Sequence, residues 1–209
     1  TGWTEPGFIT IDYYGSNADI EFDLNVKSKL PINDNYLKGV YTSNCIEHLQ
    51  ESRNIYWFKE VYRILSKGGI FRITAPDMQL IFDKYEQQDV LFFNWIKKNH
   101  KHQFDSWIRC VTRMFAEPVV DNYSDQELRN IFEQKTVTQY LDYFSDKVEK
   151  VDDIRYLNPN LHKSWWSGNK LIKILKDNGF ADVQIVKRRE RKSSIFRKTI
   201  FNNTRAHMC

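Results

Sequence analysis

The feature that most constrains the fold is an alternation of short β-rich runs with one long helical pattern between residues 7 and 77. From Ile46 to Leu65 the apolar residues fall mostly at helical spacing. The runs on either side carry the β-branched and aromatic residues, or the apolar–polar alternation, typical of strands. This order predicts an α/β fold with a Rossmann-like, mostly parallel sheet. The predicted strands are GFITIDYY, ADIEFDL, LKGVYTSN and IFRITAP.

The chain after residue 77 is expected to differ from the part before it. Lys67-Gly68-Gly69 is expected to end the first helix through a left-handed glycine cap. Residues 78–153 are aromatic, charged and helical in pattern, with a break at Glu117-Pro118, and predict a helical insertion over the sheet. Within it, Ser124 and Glu127 have the spacing of a capping box.

Two further elements are predicted near the carboxyl end. A helix is expected from about Ser167 to Asn178, closed by Gly179. The runs DVQIVKRRE and SSIFRKTIF then predict an antiparallel hairpin.

Length and composition limit the classes of protein to which the chain belongs. Its 209 residues suit a single domain, residues 1–209, and a net charge of +4 is too small to imply nucleic acid or membrane binding. No apolar run approaches the ~20 residues of a membrane span. Three distant cysteines argue against a disulfide scaffold and favour a reducing, cytoplasmic compartment. We expect no metal site, because His100 and His102 have no neighbouring acid or cysteine.

Polar residues stand where the predicted strands end. Asp12, Asp23, Ser43-Asn44 and Asp77 all occupy such positions. In parallel sheets ligands bind beyond the carboxyl ends of the strands, so these residues predict a ligand site.

Six short motifs follow one another in a fixed order along the first part of the chain: Asp12, Asp23, Leu30-Pro31, Glu47-His48, Gly68-Gly69 and Pro76-Asp77. Together they resemble the motifs of a class I S-adenosyl-L-methionine-dependent methyltransferase, of the kind found among small bacterial predicted methyltransferases. The resemblance covers residues 7–77 well and residues 162–186 loosely. That family places a Gly-rich loop upstream of the position of Thr1-Gly2-Trp3, so we expect an N-terminal strand and loop to precede this sequence.

The resemblance implies a cofactor site along the strand ends. Asp12 would accept hydrogen bonds from the ribose hydroxyls, Asp23 and Leu24 would bind the adenine, and Ser43 and Asn44 would face the sulfonium. The alternatives are a turn aspartate at Asp12, an edge-strand acid facing water at Asp23, and simple strand-end capping by Ser43 and Asn44.

Glu47 and His48 are expected at the amino end of the first helix. Glu47 is assigned to the cofactor site, with a helix-dipole partner as the alternative. His48 is disfavoured as a cation at that position, which predicts a neutral imidazole of lowered pKa and a candidate general base. The alternative for His48 is a packed, hydrogen-bonded histidine.

The acceptor pocket is predicted from residues that flank the insertion. Asp77 either lines that pocket or caps the helix that begins at Met78. His162 precedes Trp165 and Trp166, which either form a wall of the pocket or pack in the core.

The expected function is therefore methyl transfer from S-adenosylmethionine to a small-molecule or sugar-type acceptor. One alternative is a non-catalytic module of methyltransferase fold that binds a cofactor or nucleotide. Another is a nucleic-acid-binding α/β protein, suggested by the seven Lys and Arg residues between Lys187 and Lys198, although a solvated strand pair explains that charge more simply.

Overall fold

Short parallel strands and one crossover helix form the first part of the fold. The computed structural model describes residues 6–99, 106–151, 158–186 and 196. Among these, the strands make two separate parallel pairs, so the mixed α/β class and the parallel pairing are confirmed, while a single continuous sheet is not shown. The strands are β1 (Ile11–Asp12), β2 (Ile20–Glu21), β3 (Leu37–Ser43) and β4 (Leu65–Thr74).

Strands β3 and β4 are joined by helix α1 (Glu51–Ile64), which is the crossover that a parallel pair requires. The paired positions run from Gly39 opposite Ile70 to Ser43 opposite Thr74. The helix buries its apolar face, with Phe58 only 1% exposed, and Trp57 donates from Nε1 to the Leu24 carbonyl at 2.7 Å. This indole therefore fixes the chain that follows β2 against α1.

The predicted glycine cap of the first helix is wrong. Helix α1 ends at Ile64, and Leu65 is already extended (φ −73°, ψ 131°) as the first residue of β4. Gly68 has φ +75° inside β4, where the pairing register shifts between Leu37 and Gly39. The glycine thus permits an irregularity in the strand, which a side chain would strain.

Strands β1 and β2 are shorter than their sequence runs suggest. Each has two paired residues, and Asp19 joins the two runs by accepting from the Thr10 backbone N–H at 2.7 Å and from its hydroxyl at 2.8 Å. Asp19 is therefore a structural residue that ties the two runs together.

Residues 78–99 and 106–149 contain five helices with their own core. Phe82, Phe115, Tyr140 and Phe144 are each 0% exposed in it. The capping box of Ser124 and Glu127 is confirmed. The helices are α2 (Met78–Glu86), α3 (Val90–Asn99), α4 (Trp107–Val120), α5 (Asp125–Glu133) and α6 (Val137–Glu149).

The expected break at Glu117-Pro118 is present, one residue earlier: Ala116 is non-helical (φ −133°, ψ 35°), so α4 consists of two helical stretches that meet at a kink. Residues 100–105, with His100 and His102, lie outside the described residues.

The carboxyl-terminal helix matches its prediction. Helix α7 (Gly168–Asp177) begins after Ser167, whose hydroxyl accepts from the Lys170 N–H at 3.3 Å, and Gly179 follows with φ +95°. Residues 182–186 carry no strand, and the rest of the predicted hairpin lies outside the described residues except for Phe196, so the hairpin is not shown. None of the described helices has the length and apolar character needed to cross a bilayer.

Candidate functional site

The predicted strand-end residues lie at or just after the carboxyl ends of strands in the two parallel pairs. Asp12 ends β1, Asp23 follows β2, and Ser43 ends β3. Burial, together with smaller contributions from the charges of Glu47 and Asp12, raises the pKa of the Cys45 thiol, which follows Asn44, to about 11. We call Asp12, Asp23, Ser43 and Asn44 the strand-end rim.

The two acids of the rim are held by local hydrogen bonds. Asp12 accepts from the Tyr13 N–H at 2.8 Å. Asp23 accepts from the backbone N–H of Asn25 at 2.8 Å and from its side-chain amide at 2.9 Å. Asp23 therefore closes a turn after β2 rather than facing water from an edge strand.

Ser43 and Asn44 change the direction of the chain at the end of β3. Ser43 accepts from the Thr74 hydroxyl at 2.7 Å. Asn44 is left-handed (φ 47°), and its N–H donates to the Thr74 carbonyl at 3.0 Å. Its side-chain carbonyl oxygen is buried and has no hydrogen-bond partner among the described residues. A buried, unpaired amide oxygen is a position that a ligand donor would satisfy.

Glu47 and His48 do not lie on the first turn of α1. They belong to a 3-10 turn (Ile46–His48), and the helix begins only at Glu51. The helix-dipole explanation of Glu47 is therefore wrong. Glu47 is 3% exposed, and burial raises the pKa of its carboxyl to about 7. Its Oε2 has no hydrogen-bond partner within the described part of the chain.

His48 is neutral at physiological pH, as predicted, but burial is the main cause. Burial and the neighbouring His162 lower the pKa of His48 to about 4. Its Nδ1 lies 3.3 Å from the Leu161 carbonyl oxygen. A base of pKa about 4 is poorly matched to proton transfer near pH 7, whereas the pKa of Glu47 is well matched.

His162 meets His48 across the junction between the sheet region and the helices. The two ring centroids are 4.7 Å apart at an interplanar angle of 70°. His162 Nδ1 lies 2.9 Å from the Met114 carbonyl oxygen of α4. One potential metal-ligating atom from each of Glu47, His48 and His162 lies within 4.8 Å of the other two. This Glu–His–His cluster was not predicted from the sequence, because residues so distant in sequence meet only through the tertiary fold.

Residues 161–166, here called the linking segment, hold the cluster together. The Lys163 N–H donates to the Glu47 carbonyl at 2.7 Å. On the other side, His162 exchanges backbone bonds with Glu117 of α4, accepting from its N–H at 3.0 Å and donating to its carboxylate at 3.1 Å. The segment thus joins the 3-10 turn to the helical region.

Lys163 is a functional candidate that the sequence reasoning did not single out. It is 2% exposed, and its Nζ has no hydrogen-bond partner among the residues described. Burial lowers the pKa of Lys163, while the charges of Asp23 and Glu117 oppose that change. The charge of the lysine therefore interacts with Asp23 of the strand-end rim and with Glu117 of α4. A single lysine in the run LHKSWW carries no periodicity that would have revealed its burial.

The predicted acceptor-pocket residues other than His162 either cap a helix or pack in the hydrophobic core. Asp77 accepts from the Gln79 N–H at 3.1 Å and caps α2. Trp165 and Trp166 are 7% and 1% exposed and belong to the core clusters. These placements favour the capping and packing alternatives for the three residues.

A surface cavity of about 260 Å³ lies at the opposite edge, near the amino ends of β1 and β2. Its described lining carries no carboxylate and no imidazole, and it does not coincide with the strand-end rim. The lining residues are Ile9, Ile20, Pro31, Ile32, Asn33 and Tyr36.

Asn54 of α1 supports the 3-10 turn, and its replacement is expected to destabilise the protein. It is 0% exposed, and its amide donates to the carbonyls of Ile46 at 2.8 Å and Leu49 at 3.2 Å. In Asn54→Ala these carbonyls lose a donor, so we expect the free energy of unfolding to fall by about 1–3 kcal/mol. Urea denaturation measures it, with the exposed Asn130→Ala as control. An unchanged midpoint for Asn54→Ala would contradict this role.

No protein-family model matches the chain, and no curated protein or solved structure matches it significantly. Its function is therefore inferred from the strand-end rim and the Glu–His–His cluster.

Proposed function

We propose that this chain is an S-adenosylmethionine-dependent methyltransferase with a Rossmann-like fold. The proposal is supported by the positions of Asp12, Asp23 and Asn44, each of which lies at or just beyond the carboxyl edge of one of the two parallel strand pairs. This edge is where α/β sheets bind nucleotide-like ligands. The order of motifs along residues 7–77 supports the same class.

The strand-end rim offers hydrogen-bonding groups that suit an adenosine. A carboxylate at Asp12 can accept from two vicinal hydroxyls, and Asp23 with the Leu24 backbone can pair with an adenine edge. The unpaired oxygen of Asn44 is a further acceptor beside the end of β3. The bound cofactor would supply an activated methyl group, and the chain would align the acceptor with it and exclude water.

An oxygen acceptor must also lose its proton. In the chain without a bound metal ion, Glu47 is the better candidate for receiving it, because burial raises the pKa of its carboxyl to about 7. Neutral His48, whose Nδ1 contacts the Leu161 carbonyl, has a second ring nitrogen that can accept a hydrogen bond from a polar acceptor group. The helices α2–α6 would then give the selectivity for a small-molecule or sugar-type acceptor.

Calorimetric titration with S-adenosylhomocysteine tests the proposal. We expect one site per chain, and Asp12→Asn should weaken binding by about 1–3 kcal/mol through loss of charge-assisted hydrogen bonds. Asp146→Asn on the exposed face of α6 is the matched control and should leave the affinity unchanged. If the wild-type chain shows no saturable binding, or if Asp12→Asn binds as well as wild type, the proposed cofactor site is wrong.

A further inference from the structure

We propose that Glu47, His48 and His162 bind one divalent first-row transition metal ion, for which Zn²⁺ is a suitable probe. Two imidazoles and one carboxylate form a ligand set found in metal sites with an open coordination position. The proposal goes beyond methyl transfer, and metal binding can be measured without any methyl donor or acceptor.

The three side chains are close enough to share an ion. Their ligating atoms lie within 4.8 Å of one another. Ligands at about 2.0–2.1 Å from a tetrahedral ion are about 3.3 Å from one another. Small side-chain rotations that bring the ligating atoms closer by at most about 1.5 Å therefore complete the site, and they require no change of rotamer.

Both histidines contact a backbone carbonyl oxygen through Nδ1. A carbonyl oxygen only accepts hydrogen bonds, so the contacts with Leu161 and Met114 place the proton of each neutral imidazole on Nδ1. The lone pair of each ring is then on Nε2. Backbone carbonyls that accept from the second nitrogen are the usual outer partners of metal-binding histidines, because they fix the tautomer and the ring orientation.

The environment of the Glu47 carboxyl is a second, independent observation in favour of a bound cation. Its side chain is more than nine-tenths buried, and Oε2 has no hydrogen-bond partner among the described residues. The buried Lys163 does not serve as that partner, because its Nζ also makes no hydrogen bond to a described residue. A buried carboxylate without a partner is destabilised, and a bound metal ion would remove that penalty.

The backbone holds these ligands in advance of binding. Glu47 and His48 lie on one 3-10 turn, and the Lys163 N–H bond to the Glu47 carbonyl ties that turn to the linking segment. His162 is anchored to α4 through Glu117. A site built on segments that are already joined loses little conformational entropy when the ion binds.

The donor atoms indicate the class of metal. Imidazole nitrogen favours Zn²⁺, Co²⁺, Ni²⁺, Cu²⁺ or Fe²⁺, whereas Mg²⁺ and Ca²⁺ prefer oxygen ligands. Three protein ligands leave at least one coordination position for water or for an oxygen of a substrate.

The test is a titration of metal-free full-length chain with ZnCl2, after removal of chelator. We expect one Zn²⁺ per chain with micromolar or tighter affinity, and at least 100-fold weaker binding in Glu47→Gln and in His162→Gln. His102→Gln is the control, since it removes a histidine from a different part of the sequence. MgCl2 at the same concentrations should give no saturable heat.

Co²⁺ gives a readout that needs no variant and so remains valid if a variant fails to fold. The wild-type chain should show the intense visible absorption of a low-symmetry four- or five-coordinate site, and one equivalent of Zn²⁺ should abolish it. Absence of saturable Zn²⁺ binding would overturn the proposal and leave the cluster as a hydrogen-bonded packing contact. Equal affinity in His162→Gln, or loss of the site in His102→Gln, would overturn it as well.

Discussion

Phe82→Ala should lower the free energy of unfolding by about 3–5 kcal/mol, the range for removing a buried aromatic ring. Phe82 is 0% exposed and lies at the centre of the helical core. Its ring stacks on Phe132 at 5.6 Å and meets Tyr140 edge-on at 5.7 Å. Since these neighbours come from α5 and α6, the cavity would loosen contacts among several helices at once.

Urea denaturation followed by circular dichroism measures this loss. Leu91→Ala is a matched control on α3, because Leu91 is 81% exposed and its truncation should change stability by less than about 0.5 kcal/mol. A Phe82→Ala protein within 1 kcal/mol of wild type would show that the helical core is not packed as described.

Glu47→Gln should gain stability relative to wild type as the pH rises. Burial raises the pKa of Glu47 from 4.5 to about 7 in the folded state. Its contribution to stability is therefore fully present below pH 4.5 and is lost as the pH rises towards 7, because the unfolded chain ionises first. The free energy of unfolding of Glu47→Gln minus that of wild type should increase by about 3 kcal/mol between pH 4.5 and 8.

His48→Gln should show the opposite trend. Burial lowers the pKa of His48 from 6.5 to about 4, so its contribution is fully present above pH 6.5 and is lost as the pH falls towards 4. The difference between His48→Gln and wild type should therefore shift by about 2–3 kcal/mol in favour of the variant as the pH falls from 8 to 4.5.

Between about pH 4.5 and 6.5, the contributions of Glu47 and His48 to the free energy of unfolding change in opposite directions with pH, so they nearly cancel in the wild-type chain. Only the variants reveal how steeply each contribution changes with pH. The measurements are made in buffer containing EDTA, so that a bound metal ion does not alter either pKa. Stability curves of wild type and Glu47→Gln that run parallel from pH 4.5 to 8 would contradict the burial of this carboxyl.

The ends of α5 and α7 could be predicted from the sequence, because the residues that determine them are neighbours in the chain. Ser124 with Glu127, and Ser167 with Gly179, mark helix ends through hydrogen bonds or backbone conformations within one or two turns. Such signals depend on a few adjacent residues, so they can be recognised without knowledge of the tertiary fold. The same applies to the β-rich pattern of β3 and β4.

The 3-10 turn and the Glu–His–His cluster could not be predicted from the sequence, because both depend on tertiary contacts rather than on adjacent residues. Apolar spacing from Ile46 onwards cannot distinguish a 3-10 turn from the first turn of a helix, and the extended Gln50 (φ −59°, ψ 152°) separates the two in the structure. His162 joins Glu47 and His48 only because the linking segment docks between the turn and α4.

The strand ends were predictable as a set, but their detailed contacts were not. Asp12 and Asp23 could be placed at one edge because parallel strands end on the same side of a sheet. That Asp23 closes a turn with Asn25, and that Lys163 is buried beside it, follows from packing with α1 and the linking segment.

A crystal structure of the chain grown with S-adenosylhomocysteine tests the central claim most directly. We predict density for the adenosine along the carboxyl ends of β1–β3, with the ribose hydroxyls within hydrogen-bonding distance of the Asp12 carboxylate and the sulfur facing Asn44. Density at the cavity near Ile20 and Tyr36 instead, with the strand-end rim empty, would contradict the account.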